Sequence, residues 1–152
     1  MTKAVIIILM FCSLKALAQN NEQENVRTTI ETFFEGFHKQ DSTVIKQVVA
    51  DNIILQSIGR DKKDNTIIKS DEFSQFLKSI VSIPSTVTFE EKILGYNIQI
   101  DGNMANVWTP YEFWLNDQFS HCGVNSFQLV KMNDAWKIIY LIDTRRKEGC
   151  EY

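Results

Sequence analysis

The side chains that could do chemistry concentrate in the last third of the chain: Trp108, Glu112, His121, Cys122, Asn125, Asp143, Arg145 and Cys150. They sit in alternating runs that read as strands joined by short turns at Asn116-Asp117 and Asn133-Asp134. Register decides which of them share a surface. If the first turn centres on Asn116-Asp117, Leu115 faces Gln118, Glu112 faces His121 and Trp108 faces Asn125. Period-two alternation then puts Trp108, Glu112, His121, Asn125 and Phe127 on one face, and the next hairpin adds Tyr140 and Ile142. A bulge in either strand would invert part of this set. A carboxylate beside an imidazole fixes its tautomer and raises its pKa, which is a general-base arrangement with His121 as base and Glu112 as partner. The same pair could orient a ligand without turnover, or form no more than an ion pair at the rim.

Other candidates are simpler. His38 lies in the polar context Lys39-Gln40-Asp41, where a solvated histidine at a helix end is the plainer reading. Its position four residues after Phe34 would instead let it reach a pocket mouth beside Phe34 and Phe37. The two histidines lack a ligand-spaced partner, so no metal site and no cofactor is expected. Asp143 and Arg145 alternate onto one face as an ion pair, and an arginine at a rim suits a carboxylate-bearing ligand. Cys122 and Cys150 could be two free thiols, a nucleophile at Cys122 activated by His121, or a disulfide. Adjacent strand residues point to opposite faces, which disfavours the nucleophile, and the disulfide is the expected state.

These residues need elements to hold them. Val26, Ile30, Phe33, Phe34 and Phe37 repeat at helical spacing over residues 21–40, followed by a short helix capped at Asp41-Ser42. Residues 52–58 read as a strand and 59–65 as a charged turn. A third helix opens at Ser70-Asp71-Glu72, buries Phe73, Phe76, Leu77, Ile80 and Val81, and stops at Pro84. Strands follow over 86–100, 104–115, 119–132 and 135–144, with a tight turn at Asp101-Gly102-Asn103. This is an α+β arrangement, with helices covering one face of a curved antiparallel sheet. The opposite face, on the same register, carries Val107, Tyr111, Phe113, Leu115, Ile139 and Leu141. It is too apolar to stay wet, which argues for a homodimer. Trp114 and Trp136 read as core or interface aromatics.

The first residues belong elsewhere. Lys3, an apolar run over 4–14 and the small-x-small Ala16-Leu17-Ala18 form a secretory signal pattern, so residues 1–18 are expected to be cleaved near Ala18 and 19–152 to form one exported domain, periplasmic or secreted. Losing Lys3 and Lys15 moves the formal charge from −3 to −5, a poor match for nucleic acid or an anionic membrane surface. With Cys12 gone, two cysteines remain in an oxidising compartment.

The element order, the aromatics Phe33, Phe34 and Phe37, and the closing pattern Gly123-x-x-x-Phe127-x-Leu129-Val130-Lys131 … Trp136-Lys137-Ile138 resemble the nuclear transport factor 2-like superfamily. That superfamily includes ketosteroid isomerase and the SnoaL-like polyketide cyclases. The resemblance covers nearly the whole exported part, looks nearest to small exported bacterial members of unknown function, and implies a cone-shaped fold with a deep pocket between sheet and long helix. It also implies dimers formed through the outer sheet face. Ketosteroid isomerases use an Asp base with a Tyr and a protonated Asp as oxyanion donors, and that trio has no assigned positions here. The expected function is binding of a small, partly apolar ligand, noncatalytic or sensory, in a pocket lined by Phe34, Phe37, His38, Trp108, Asn125, Phe127, Tyr140 and Arg145. A cofactor-free isomerase, cyclase or dehydratase using His121 and Glu112 is the alternative, and a dimeric interaction module with a vestigial pocket is the third reading.

Overall fold

The structure, a computed structural model, describes residues 21–150; the expected signal segment 1–18 lies outside the described residues. Helix α1 occupies residues 21–38 and buries Val26, Ile30, Phe33 and Phe34, the apolar stripe its spacing requires. It ends where Gln40 adopts a positive φ of 56° and Asp41 N–H returns to the Gly36 carbonyl at 2.8 Å. Gly36 is where the next helix crosses: a Cβ there would lie 2.8 Å from Ile45 Cγ1. Asp41 caps that helix, α2 (Ser42–Val48), its carboxylate accepting from the N–H groups of Thr43 and Val44. Helix α3 (Phe73–Val81) begins after Glu72 and buries Leu77 and Ile80.

Seven strands form one sheet: β1 (Val49–Arg60), β2 (Thr66–Asp71), β3 (Phe89–Ile93), β4 (Asn97–Asp101), β5 (Met104–Leu115), β6 (Gln118–Met132) and β7 (Ala135–Thr144). The order is β2-β1-β7-β6-β5-β3, with β4 also pairing β5. The fold is α+β, three helices against a curved, unclosed sheet. The pairings are antiparallel except that of β1 with β7, which is parallel and makes the sheet mixed. Two local readings change. Residues 66–71 form the extra strand β2, so Ser70 and Asp71, expected to open the third helix, end a strand and α3 starts only after Glu72. The single strand expected over 86–100 is two, β3 and β4, which pair with successive segments of β5. The turns at Asn116-Asp117 and Asn133-Asp134 hold both central residues at positive φ, between 49° and 61°, the conformation two-residue hairpins need.

Two bulges overturn the expected register. Phe113 pairs with His121 but Trp114 pairs with Phe119, so Ser120 is an extra residue on β6. Beyond it Glu112 faces Cys122, and Trp108 faces Ser126. Both therefore leave the concave face expected for them: Trp108 is half exposed, and the Glu112 carboxylate accepts from Trp114 Nε1 at 3.0 Å. On β7, Ile139 is the extra residue between the pairs Leu129–Ile138 and Gln128–Tyr140. Tyr140 and Ile142 turn outward, and the Tyr140 hydroxyl bonds the Gln56 side chain at 2.6 Å. In exchange Tyr111, Phe113 and Leu141, with Val107, face inward, against the expectation that they form the outer face. The core is that concave side: Phe127, Leu129, Ile138 and Val107 are fully buried under Val26, Ile30 and Phe33.

Candidate functional site

Between α1, α3 and the concave sheet lies a cavity of about 210 Å³. Its helical wall is Phe33, Phe34, Phe37 and Phe76, with Phe113, Leu55 and Leu141 continuing the apolar lining from the sheet. The rings lock one another: Phe76 stacks on both Phe33 and Phe37 at 6.3 Å, and Phe34 meets Phe33 edge-on at 5.4 Å. The polar lining comes from the sheet, as Ser57, Asp71, Glu91, Tyr111, His121, Asn125, Asp143 and Arg145.

The two bulges assemble this polar wall. The one at Ser120 aligns Glu91, Phe113 and His121 as one inward row across three strands, and the one at Ile139 aligns Asn125, Asp143 and Ser57 as another. Asp143 is buried and partnered on both oxygens: Ser57 donates its hydroxyl proton and Arg145 Nε donates at 2.8 Å. The single hydroxyl proton of Tyr111 is shared between the Thr144 carbonyl at 3.0 Å and the Asp143 carboxylate at 3.3 Å. Gly123 makes room for this contact, because a Cβ there would lie 1.8 Å from the Thr144 oxygen and 2.7 Å from the Tyr111 ring. Burial, with Asp143 and Glu91 nearby, keeps the Tyr111 phenol protonated, its pKa raised. Arg145 lies at the rim with its side chain mostly exposed; burial lowers its pKa, but the hydrogen bond and charge of Asp143, with Tyr111 and Glu91, together outweigh that and raise it.

Glu91 is the group that sequence reasoning missed. Its carboxylate accepts from Asn125 Nδ2 at 2.7 Å, among apolar neighbours. Burial pushes its pKa up to about 7, the Asn125 bond only partly opposing this. The available signal was alternation: Phe89, Glu91 and Ile93 share one face of β3, and a carboxylate between two apolar residues on an inward face is unusual. His121 stacks on Phe113 at 4.9 Å, with Nδ1 3.1 Å from the Ser120 hydroxyl. Burial, then Arg145, lowers its pKa, so the ring is neutral near pH 7. Glu91 is thus the cavity carboxyl that exchanges protons near neutrality, on the same row as an imidazole that is neutral there.

Of the residues named from sequence, Phe34, Phe37, His121, Asn125 and Arg145 line the cavity. Phe127 lies beneath it, packed on Phe33 and Phe34, and His38 stands within the wall rather than facing the cavity. Trp108, Glu112 and Tyr140 are on the other side of the sheet, so Glu112 cannot assist His121. Cys122 is buried and bonded to Cys150, their Cα atoms 5.7 Å apart, and the chain after β7 is also held by paired backbone bonds between Cys122 and Arg146. Among the described residues no cluster of three or more His, Cys, Asp or Glu side chains is arranged to hold a metal ion. No described helix is long and apolar enough to cross a membrane.

This curved sheet, with helices enclosing a cavity on its concave side, is the nuclear transport factor 2-like fold. Solved structures with the same fold include an NTF2-like protein of unknown function from Shewanella baltica, at 15% identity and a TM-score of 0.61 over 84% of this chain and 96% of that one. A proposed dehydratase of the NTF2-like family from Streptomyces avermitilis matches at 13% identity and a TM-score of 0.64, over 84% and 98%. A proposed scytalone dehydratase from Novosphingobium aromaticivorans matches at 10% identity and 0.66, over 84% and 86%. No family model and no curated protein matches the chain. At these identities the likeness establishes the fold alone.

Proposed function

We propose that the protein is exported and binds a small, partly apolar molecule in the cavity, as a noncatalytic or sensory pocket protein. The observation that carries this reading is the division of the cavity into a phenylalanine wall and an oriented polar wall, the composition of a pocket that buries a ring and fixes its direction. The Asp143–Arg145–Ser57–Tyr111 network satisfies itself. Glu91 and His121 are therefore the groups that meet the ligand's polar atoms, with Arg145 at the mouth. Native mass spectrometry of the exported protein, with nothing added, is the first test. A small molecule retained in the folded protein and lost on denaturation supports the reading; an empty cavity, together with no shift in melting across a panel of small ring-bearing compounds, points to the interaction-module reading instead.

The same spectrum reports the oligomeric state. A homodimer through the convex face fits the apolar side chains exposed there, Trp108, Ile54 and Ile68, each at least half exposed.

A second reading, a cofactor-free isomerase, cyclase or dehydratase, is favoured by one observation: a carboxyl with a pKa of about 7 on the same inward row as a neutral imidazole. His121 remains the candidate base, and Glu91, across Phe113 on the same row, is a second acid–base group rather than the partner of the imidazole expected in Glu112. His121→Ala and Glu91→Gln separate the readings once a ligand is known. Loss of turnover with binding retained supports the enzyme; loss of binding without any turnover in the parent supports the binder.

A further inference from the structure

His38 is the polar group that the site does not use. It closes α1, in a box of rings formed by Phe34 at 6.0 Å, Phe37 at 5.6 Å and Phe89 at 6.5 Å. Its Nε2 accepts the backbone N–H of Glu91 at 2.9 Å. Strand β3 is the edge of the sheet beyond β5, so this amide points away from the ladder, where an edge strand ordinarily meets water. A histidine nitrogen has taken the place of a further strand. The bond fixes the tautomer, with Nε2 bare and the proton on Nδ1.

From this geometry we infer that His38 is an acid-released latch, which holds β3 against α1 when neutral and frees the Glu91 wall of the cavity when protonated. A protonated imidazole carries hydrogen on both nitrogens, so Nε2 can no longer accept, and an N–H would face an N–H. The released strand is the one that carries Glu91 and Phe89, so the event changes the cavity itself. This extends the proposed function to its regulation, but the latch is a property of the empty protein and stands or falls without a ligand.

The surrounding charges set the sign. Burial lowers the His38 pKa, and the Glu90 carboxylate on β3 partly opposes it. Glu91, on the same strand, is itself protonated as pH falls below about 7, so it adds no attraction for a cationic ring in the acid range. On its own helix the exposed Glu35 and Lys39 pair with each other. The stability contributed by neutral His38 is present above the ordinary histidine range and is lost as pH falls through the lowered folded pKa.

The test is hydrogen exchange by NMR on the disulfide-bonded protein, comparing amide protection in β3 with that of Leu129 in the sheet centre, from about pH 8 to about pH 5. Protection factors remove the intrinsic pH dependence of exchange. Glu91 is expected to lose protection relative to Leu129 by about tenfold per pH unit below the ring's pKa, with Phe89–Ile93 following as a block. His38→Gln keeps an acceptor near the Nε2 position but does not titrate, and its β3 protection relative to Leu129 is expected to show no loss in acid, where protonation of Glu91 favours the folded strand. A wild-type Glu91 amide that tracks Leu129 across the range overturns the latch, as does a His38→Gln protein that keeps the wild-type acid response. A latch that behaves as described in a protein that captures no ligand would retain this inference and remove only the proposed function.

Discussion

The helical wall of the cavity and its sheet wall are built from different physics. Phe33, Phe34, Phe37 and Phe76 exclude water and grip one another, but they impose no direction on what they enclose. Glu91, Tyr111, His121, Asn125 and Asp143 bury less apolar surface, yet each aims a polar atom through a named partner. The first wall supplies stability that is indifferent to pH; the second supplies orientation and concentrates the titrating groups of the site. Substitutions in the two walls should therefore differ in kind as well as in size.

The largest effect belongs to the helical wall. Phe33 is 2% exposed and touches Phe34, Phe76 and Phe127, so Phe33→Ala should cost about 3–5 kcal/mol in urea unfolding. The loss should be the same at pH 5 as at pH 8. A pH-dependent loss would mean that the phenylalanines set the environment of Glu91 and that the walls are not separable.

Next comes the cross-link that ties down the chain after the sheet wall. Cys122 and Cys150 are 28 residues apart, and closing that loop should contribute about 3 kcal/mol in the chain-entropy account. Cys150→Ser, or reduction, should lower the urea midpoint accordingly and expose Cys122 to alkylation only on unfolding or loosening of the tail. Free alkylation of both cysteines in protein made under oxidising conditions would refute the cross-link.

Glu91 tests the sheet wall directly. Its folded pKa is raised, so its contribution is fully present below the ordinary carboxylate range and is lost as pH rises through about 7. Glu91→Gln keeps the shape and removes the charge. It should be close to wild type at pH 5 and more stable by about 2 kcal/mol at pH 8.5, where the parent must hold a buried carboxylate. Equal stability curves at both pH values would show that water or a rearranged Asn125 solvates the carboxylate.

How far each wall could be read in advance follows from the same difference. The spacing of Phe33, Phe34 and Phe37 is a local property of one helix, and no distant pairing can alter it. The faces of β5, β6 and β7 depend on counting residues back from two turns, and one extra residue in each hairpin reverses the count. Ser120 and Ile139 carry no composition that marks a bulge. Without them Glu112 faces His121; with them the bulged row brings in Phe113 and, across β3, Glu91. The turns themselves were legible, because Asn and Asp tolerate positive φ. His121, Asn125 and Arg145 line the cavity because they lie where the displaced count still faces inward; Trp108, Glu112 and Tyr140 lie where it does not.

The smallest effect makes the sharpest use of that reversal. Glu112 and His121 are chemically the more obvious pair, yet Glu112 is on the convex face, its carboxylate bonded to Trp114 Nε1 and its backbone opposite Cys122. Glu112→Gln keeps an oxygen that can accept from the indole, so stability should change by no more than about 0.5 kcal/mol. The His121 titration, followed by its ring carbon-bound protons in NMR, should not move, because the sheet separates the two side chains. A His121 pKa that drops on removing this charge would place Glu112 beside the imidazole, and the bulge at Ser120, on which the row of Glu91 and His121 depends, would be wrong. An unchanged titration in Glu112→Gln alongside a shifted one in Asp143→Asn, whose carboxylate favours the charged ring, would tie the histidine to the concave wall by measurement.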